Sequence, residues 1–519
     1  MSVIVNPSTG RVFGETAYRG ADQDYHRNWN PRKRSADADL LPDKSLLDAR
    51  TSDLIRNNGV AKGAKQTTLD NVVGSFFLVS PKPNYHVLGK DIEWARAWSK
   101  NAKNRFKIWA NSLDSSLARN QNFHQMTQLT FKQAFDVGES LAIPRWKPNA
   151  GRQNAFCIQI MDPDRLSNPN HEPNARFRRR GIDINQDAEA IGYWISSRHK
   201  DDVGLSEKLT WKRIPARTRW GRRKVIHSFD LERPEQSRGI GALVSALSEF
   251  KILDKYTQSE LKATANNALI AAFVESDLPD ELMREIFQPG ADGEAGSTAG
   301  DEYRGARNAM DYNLKDGAMI PLVPGDKINA FAPGRPNPAY SLFVENIFRQ
   351  IGVSLNLPYE LLLKDFSKTN YSSARASLLE AYRFFKNRRA WLVAAWAQPI
   401  YELWIEEEVN KGAIEAPDFY ANKAAYCQST WIASGKGWVD PVKEIKGAQL
   451  RMQCKMSNLE LENAEQGHDW EEVLEQAAYE KQKLDELGLS MADIYPDDEP
   501  EQPEVIPSQT GGNNAQMYG

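Results

Sequence analysis

Residues 336–408 constrain the fold of this chain more than any other stretch. Leu342, Phe343, Ile347, Phe348, Ile351 and Leu355 recur at helical spacing, and Leu378, Leu379, Tyr382, Phe385, Leu392 and Trp396 do so again further on. Between them lies KDFSKTNYSS, Lys364 to Ser373, a polar segment with two lysines, several hydroxyls, an amide and no glycine or proline. The pattern predicts a helix, a short polar loop and a much longer helix. Pro399 removes one ladder hydrogen bond from that longer helix and should kink it. The loop offers groups that meet phosphate and lacks the residues usually needed to cleave one. A solvated connection with ordinary surface lysines fits the same composition.

The segments before this stretch change character several times. Residues 1–45 are polar and poor in periodic apolar positions, so they read as an extended arm that orders against a partner. From Leu46 the pattern predicts a helix ending near Asn58 and Gly59 and a second ending at Gly74, then strands at SFFLVSPKP and YHVLG. Residues 91–142 look helical, with Trp94, Trp98, Phe106 and Trp109 as core. FCIQIMDPDRL, IGYWISSR and KVIHSFD read as strands. Ile240 to about Glu275 has no proline and reads as one helix of roughly 50 Å at the usual rise per residue. A segment dense in Gly, Asp and Glu follows. Residues 439–490 read as acidic amphipathic helices, and 491–519 as a disordered tail. The class is α+β, predominantly helical.

Length alone, at 519 residues, suggests about three or four domains. The net charge of −3 conceals segregation. KRIPARTRWGRRK, from Lys212 to Lys224, has seven cations in thirteen residues, whereas Asp493 to Glu504 has six acids and no base. Such asymmetry suits nucleic-acid contact, charge-matched assembly or a solvated loop alike. Cys157, Cys427 and Cys454 are widely spaced and form no disulfide framework, which suits a reducing cytoplasm. The first twenty residues lack the layout of a secretory signal, and no run of about 18 apolar residues suggests a membrane span. The expectation is a soluble protein without membrane contact.

Chemistry leaves little trace. HExxH, GxxxxGK[ST], GxSxG and a full GxGxxG are all missing, and no two of the seven histidines stand at i, i+3 or i+4. His227, in VIHSFD, reads as a buried strand histidine. No catalytic residue, cofactor or metal ligand is expected. The competing expectation is a metal-dependent nucleic-acid enzyme, a nuclease or integrase, with scattered carboxylates and no recognisable motif.

The blocks DLIRNNGVAKGAKQTTLDNVVG, RPEQSRGIGAL, MIPLVPGDKI, IGVSLNLPYELLLKDFSKTNYSSARASLLE and GWVDPVKEIKGA occur in that order. Together they resemble the tailed-bacteriophage portal proteins of the lambda type, from about Leu46 to Leu489. NYSSARASLLE next to LPYELL is the most specific of them.

The resemblance implies a ring homo-oligomer of about twelve subunits at one vertex of the capsid. Its partners would be the terminase large subunit, major capsid and scaffolding proteins, a head-completion or adaptor protein, and double-stranded DNA met without regard to sequence. The protein would assemble in the host cytoplasm and reside in the virion. In the family's terms, residues 46–235 would be an α+β wing, 236–275 the first stem helix, 276–335 the clip and 336–360 the second stem helix. Residues 361–373 would be the tunnel loop, 374–438 the long kinked helix of the wing, and 439–490 a helical crown. Lys364, Lys368, Asn370 and Tyr371 would line the DNA channel. Ser372 and Ser373 would shape the loop and cap the following helix. Arg238 and Arg375 would join neighbouring subunits or form ion pairs within the chain.

Overall fold

The apolar periodicities become helices, some started by a side-chain cap, as at Ser35 and Asp91, and others, such as Tyr340–Ser354, without one. A computed structural model of the chain describes residues 31–148, 151–202, 208–269, 273–276, 326–329, 339–435, 437 and 440–490. The described residues fall into two compact units, fewer than length suggested: Met1–Thr67, Lys132–Leu141 and Met161–Phe384 form one, and Thr68–Phe131, Ala142–Ile160 and Phe385–Gly519 the other. The α+β, mainly helical expectation holds.

In the first unit a helix covers Ala36–Asn57, so the segment expected to be extended up to residue 45 turns helical ten residues earlier. Ser35 starts it, its hydroxyl accepting a hydrogen bond from the Ala38 amide. Leu40 and Leu41 are buried along it. A four-stranded antiparallel sheet runs in the order Arg178–Arg179, Ile182–Ile184, Ala190–Ser196 and Trp211–Pro215. Its register pairs Ile182 with Tyr193 and Tyr193 with Ile214, placing the buried side chains on one face.

The helix expected from Ile240 starts only at Leu247, after a 3₁₀ turn at Val244–Ala246, and is described to Leu269. Packing explains the delay. The Ala242 amide donates to Phe135 O at 2.9 Å, and a Cβ on Gly241 would lie 2.4 Å from Asp136 O. Those residues are held against the backbone of 135–138, and Gly241 closes only a 3₁₀ turn, its carbonyl accepting the Val244 amide at 3.1 Å. Twenty-three residues give roughly 35 Å rather than 50. Beyond it Phe273–Ser276 pairs antiparallel with Asp326–Asn329, two strands inside the segment read as stem end and clip. The rest of residues 276–335 lies outside the described residues, as do residues 1–30 of the expected arm and the tail 491–519.

The second unit contains the predicted aromatic core. Trp98, Phe106 and Trp109 of the helix Ile92–Asn111 are buried, Trp94 half-buried. The Phe106 ring meets Phe123, Tyr401, Trp404 and Trp431 edge-on, with centroids 5.1–5.9 Å apart. Phe77–Pro81 pairs antiparallel with Ser429–Ala433. YHVLG is no strand but a turn, because Asn84 Oδ1 accepts the Val87 amide and the Asn84 carbonyl the Leu88 amide. The helical expectation for 91–142 also fails at its end, where Glu139–Trp146 is a strand.

The long helix after the polar loop is interrupted as expected. Tyr371–Leu392 is α-helical, Val393–Ala397 forms a π-turn, and Gln398–Asn410 continues. The widened turn just before Pro399 absorbs the missing amide and the ring. Three consecutive glutamates in the last segment are buried, each with a partner. Glu406 meets Lys423 at 2.8 Å, Glu407 accepts the Ala155 and Phe156 amides, and Glu408 accepts Asn154 Nδ2 at 2.6 Å. The helices Pro441–Gln453, Leu459–Glu465 and Trp470–Leu487 occupy the acidic amphipathic region.

Candidate functional site

The polar loop is built by the two helices around it. Tyr340–Ser354 ends where Gly352 lies so close to the returning chain that a Cβ there would sit 2.6 Å from Leu357 O, and the Leu357 amide donates to Gly352 O at 2.9 Å. Leu355, Leu357 and Leu362 are buried and hold the short helix Tyr359–Leu363 in place. Lys364 then adopts the left-handed conformation, φ 57°, and ends that helix. The next helix begins at Tyr371, so the non-helical loop is 364–370 rather than 361–373.

The cap falls on Asn370, not on Ser373. Asn370 Oδ1 accepts the Ser373 amide at 2.8 Å, and its carbonyl accepts the Ala374 amide. Tyr371, Ser372 and Ser373 are exposed in the first turn, and Tyr371 is 48% exposed. An amide side chain caps as well as a hydroxyl does, so the sequence alone did not separate them.

The two lysines differ. Lys368 Nζ donates to Glu345 Oε2 at 2.8 Å, and Arg349 donates to the other oxygen at 2.7 Å. The hydrogen bond to Glu345 raises the Lys368 pKa, and the same bond lowers that of Glu345. Lys364 is exposed and makes no ion pair among the described residues. Thr369 Oγ1 donates to Glu360 at 3.2 Å, and Asp365 accepts the Ser367 amide. The loop thus presents one unpaired ammonium, one paired ammonium and several hydroxyls on a braced backbone.

Arg238 is not available to a neighbouring subunit. It is 2% exposed and spans Glu139, with Nη2 2.6 Å from Oε1 and Nε 2.8 Å from Oε2. It also donates to the carbonyls of Pro163, Leu166 and Arg180. Glu139 is fully buried and further receives Lys44 Nζ at 3.3 Å, His227 Nε2 at 2.9 Å and the Gly239 amide. Burial pushes its pKa up, but Arg238, Lys44 and the hydrogen bonds together hold the carboxyl well below its usual range. Burial lowers the His227 pKa despite Glu139, so a neutral ring donates Nε2–H to the carboxylate. The buried strand histidine is borne out. Arg375 is half-buried, with no ion pair among the described residues.

The backbone around this cluster is tight. Gly138 has φ +84°, and a Cβ on it would lie 2.2 Å from the Ile240 backbone. Asp48 joins the cluster by accepting Lys44 Nζ at 3.1 Å, and none of Glu139, Lys44 or Asp48 stands out in the sequence. The one usable signal was the glycine on each side, Gly138 before Glu139 and Gly239 after Arg238.

Among the described residues one group has metal-ligand spacing, Asp162, Asp164 and His199, with ligand atoms all within 4.8 Å of one another. Both aspartates are exposed, and Asp162 Oδ1 already accepts the Asp164 amide at the start of a 3₁₀ turn. No helix among the described residues is long and apolar enough to cross a membrane.

Comparisons with known proteins point to one family. The model of the family described as phage portal protein, lambda family, matches residues 23–389. The portal protein of Escherichia phage N15 is 30% identical over 478 residues, covering 89% of each chain. Portal protein B of Escherichia phage lambda is 30% identical over 474 residues, 89% of this chain and 88% of its own. Among solved structures, the neck of an empty gene transfer agent particle computed with C6 symmetry aligns with a TM-score of 0.46 at 13% identity, over 89% of this chain and 95% of that one. The chain belongs to the lambda family of tailed-phage portal proteins. Membership does not favour the metal-dependent enzyme reading.

Proposed function

We propose that the chain assembles with about eleven further copies of itself into a ring at one capsid vertex, through which DNA is packaged and later leaves. In this reading the ring receives the terminase large subunit on the side of residues 276–335. It is seated by the major capsid and scaffolding proteins and joined to the tail by a head-completion or adaptor protein. Residues 46–235 and 374–438 form the wing, 236–275 and 336–360 the stem, and 439–490 the crown. Assembly takes place in the host cytoplasm and the product is part of the virion. No catalytic step is assigned to the chain.

One observation carries the reading of the loop: it is fixed at Lys368 to Glu345 and at Asn370 to the following helix, and still presents Lys364 outward. In a ring, such loops would line the channel. They would touch phosphates through charge without reading bases, which gives salt-dependent, sequence-blind contact. Negative-stain microscopy of the purified chain tests the assembly: rings with a central hole are expected, and monomers or filled particles overturn it. Charge reversal of Lys364 and Lys368 in a packaging assay tests the loop, and unchanged packaging with normal DNA retention would remove the DNA contact.

A further inference from the structure

The most basic segment of the sequence has no role in the portal reading, yet it is folded into a distinct device. Residues 216–224 form a tight antiparallel hairpin after the strand Trp211–Pro215. Arg217 bridges Arg223, the Thr218 amide donates to Arg222 O at 2.8 Å, and the Lys224 amide donates to Ala216 O at 2.9 Å. The turn closes with the Gly221 amide on Thr218 O at 3.0 Å, and Gly221 sits at φ +89°. A turn closed by a glycine in this region is a common hairpin solution, and it places the two preceding residues at the tip. Those residues are Arg219 and Trp220. Trp220 is 72% exposed, and a Cβ on Gly221 would meet no atom within 4 Å, so the tip stands clear.

The charge around this tip is of one sign. From Lys208 to Phe229 the sequence contains no Asp or Glu. Arg217, Arg219, Arg223 and Lys224 are exposed and make no ion pairs among the described residues. An exposed tryptophan between arginines is an unusual surface, because large aromatics are normally covered.

We propose that this hairpin is a binding surface for the phosphate backbone of duplex DNA, separate from the loop 364–370. The chemistry favours phosphate over an acidic protein face. Guanidinium groups fit phosphate oxygens with two parallel hydrogen bonds, and an aromatic ring at the tip lies against sugar or base edges. A protein partner needs on the order of 800 Å² on each side to be held stably, more than a two-residue tip on two short arms presents. A phosphate needs one cation, and the hairpin supplies four that no carboxylate neutralises among the described residues, Arg217 also donating to Gly221 O at 3.2 Å. The inference rests on the portal reading only for the presence of DNA.

The test measures binding of the full-length protein to a fluorescein-labelled duplex of about 30 base pairs across roughly 50 to 300 mM salt. An Arg219→Ser/Arg223→Ser variant should bind more weakly and lower the slope of log K against log salt by about two, equally for two unrelated sequences. Trp220→Ala should weaken binding and leave the slope unchanged. The Arg219→Lys/Arg223→Lys variant keeps the charges and should keep the slope. A serine variant with wild-type slope overturns the proposal, and so does a lysine variant that loses as much slope as the serine one. Altered sedimentation of the serine variant with unchanged DNA binding also overturns it and makes the hairpin a contact between copies. Ring formation, scored separately by microscopy, reports on the portal reading whichever way the hairpin result falls.

Discussion

Arg238 grips both carboxylate oxygens of the fully buried Glu139, with Nη2 at 2.6 Å from one and Nε at 2.8 Å from the other. Breaking a buried pair from one side leaves an uncompensated charge. Glu139→Gln and Arg238→Ala should each destabilise the first unit by about 3–5 kcal/mol, read from urea unfolding followed by circular dichroism. The double variant Glu139→Gln/Arg238→Met should cost less than the sum of the singles, because no charge is then left alone.

Asp48 gives this cluster a pH dependence. Burial outweighs Lys44 and raises its pKa from 3.8 to about 6. The folded state therefore holds the proton more tightly than the unfolded state. That contribution to stability is complete below about pH 4 and is lost as pH rises through about 6. Relative to Asp48→Asn, the wild-type melting temperature should fall between these values. A difference that stays flat across the window would mean that Asp48 does not titrate there. His227, whose pKa is lowered, acts in the opposite direction and is common to both proteins.

The cap position predicts a contrast between neighbours. Asn370→Ala removes the acceptor for the Ser373 amide and should destabilise the start of the helix Tyr371–Leu392 by about 1 kcal/mol. Ser373→Ala removes no cap and should leave stability within a few tenths of that of the parent. Thermal melts of the two variants side by side decide the matter, and the reverse ranking would place the cap on the serine.

Lys364 and Lys368 should not be equivalent in DNA contact, since only Lys368 is tied to Glu345. Lys364→Ala should lower the salt slope of duplex binding by about one, and Lys368→Ala by less. Glu345→Gln frees Lys368 and should raise its contribution toward that of Lys364. Equal slopes for the two alanine variants would show that the Glu345 pair does not hold in solution.

Some of this was legible before any coordinates. Helices with apolar residues at every third or fourth position announced themselves, and Pro399 located the interruption to within two residues of the π-turn that ends at Ala397. The family resemblance was readable because ordered blocks carry more information than any one motif. The ion-pair hub was not readable. Glu139 lies 99 residues from Arg238 in sequence, and nothing in a lone glutamate says that it is buried. Val87 and Leu88 looked like strand alternation, yet Asn84 closes a turn beneath them and leaves Val87 65% exposed. Three adjacent glutamates at 406–408 look like solvated surface, and each is inside because a lysine, two backbone amides or an asparagine amide meets it. Local pattern reports local structure, while pairing between distant polar groups depends on topology.

The brace between Lys368 and Glu345 has a consequence for work done on a moving polymer. A connection of seven residues with nothing holding its middle would behave as a tether and lose conformational freedom at every new encounter. Here the middle is fixed to the helix before it and the end to the helix after it. The ordering entropy is settled once, during folding. On the proposed channel reading, each passing phosphate would meet a stiff rail, one that grips weakly and lets go quickly.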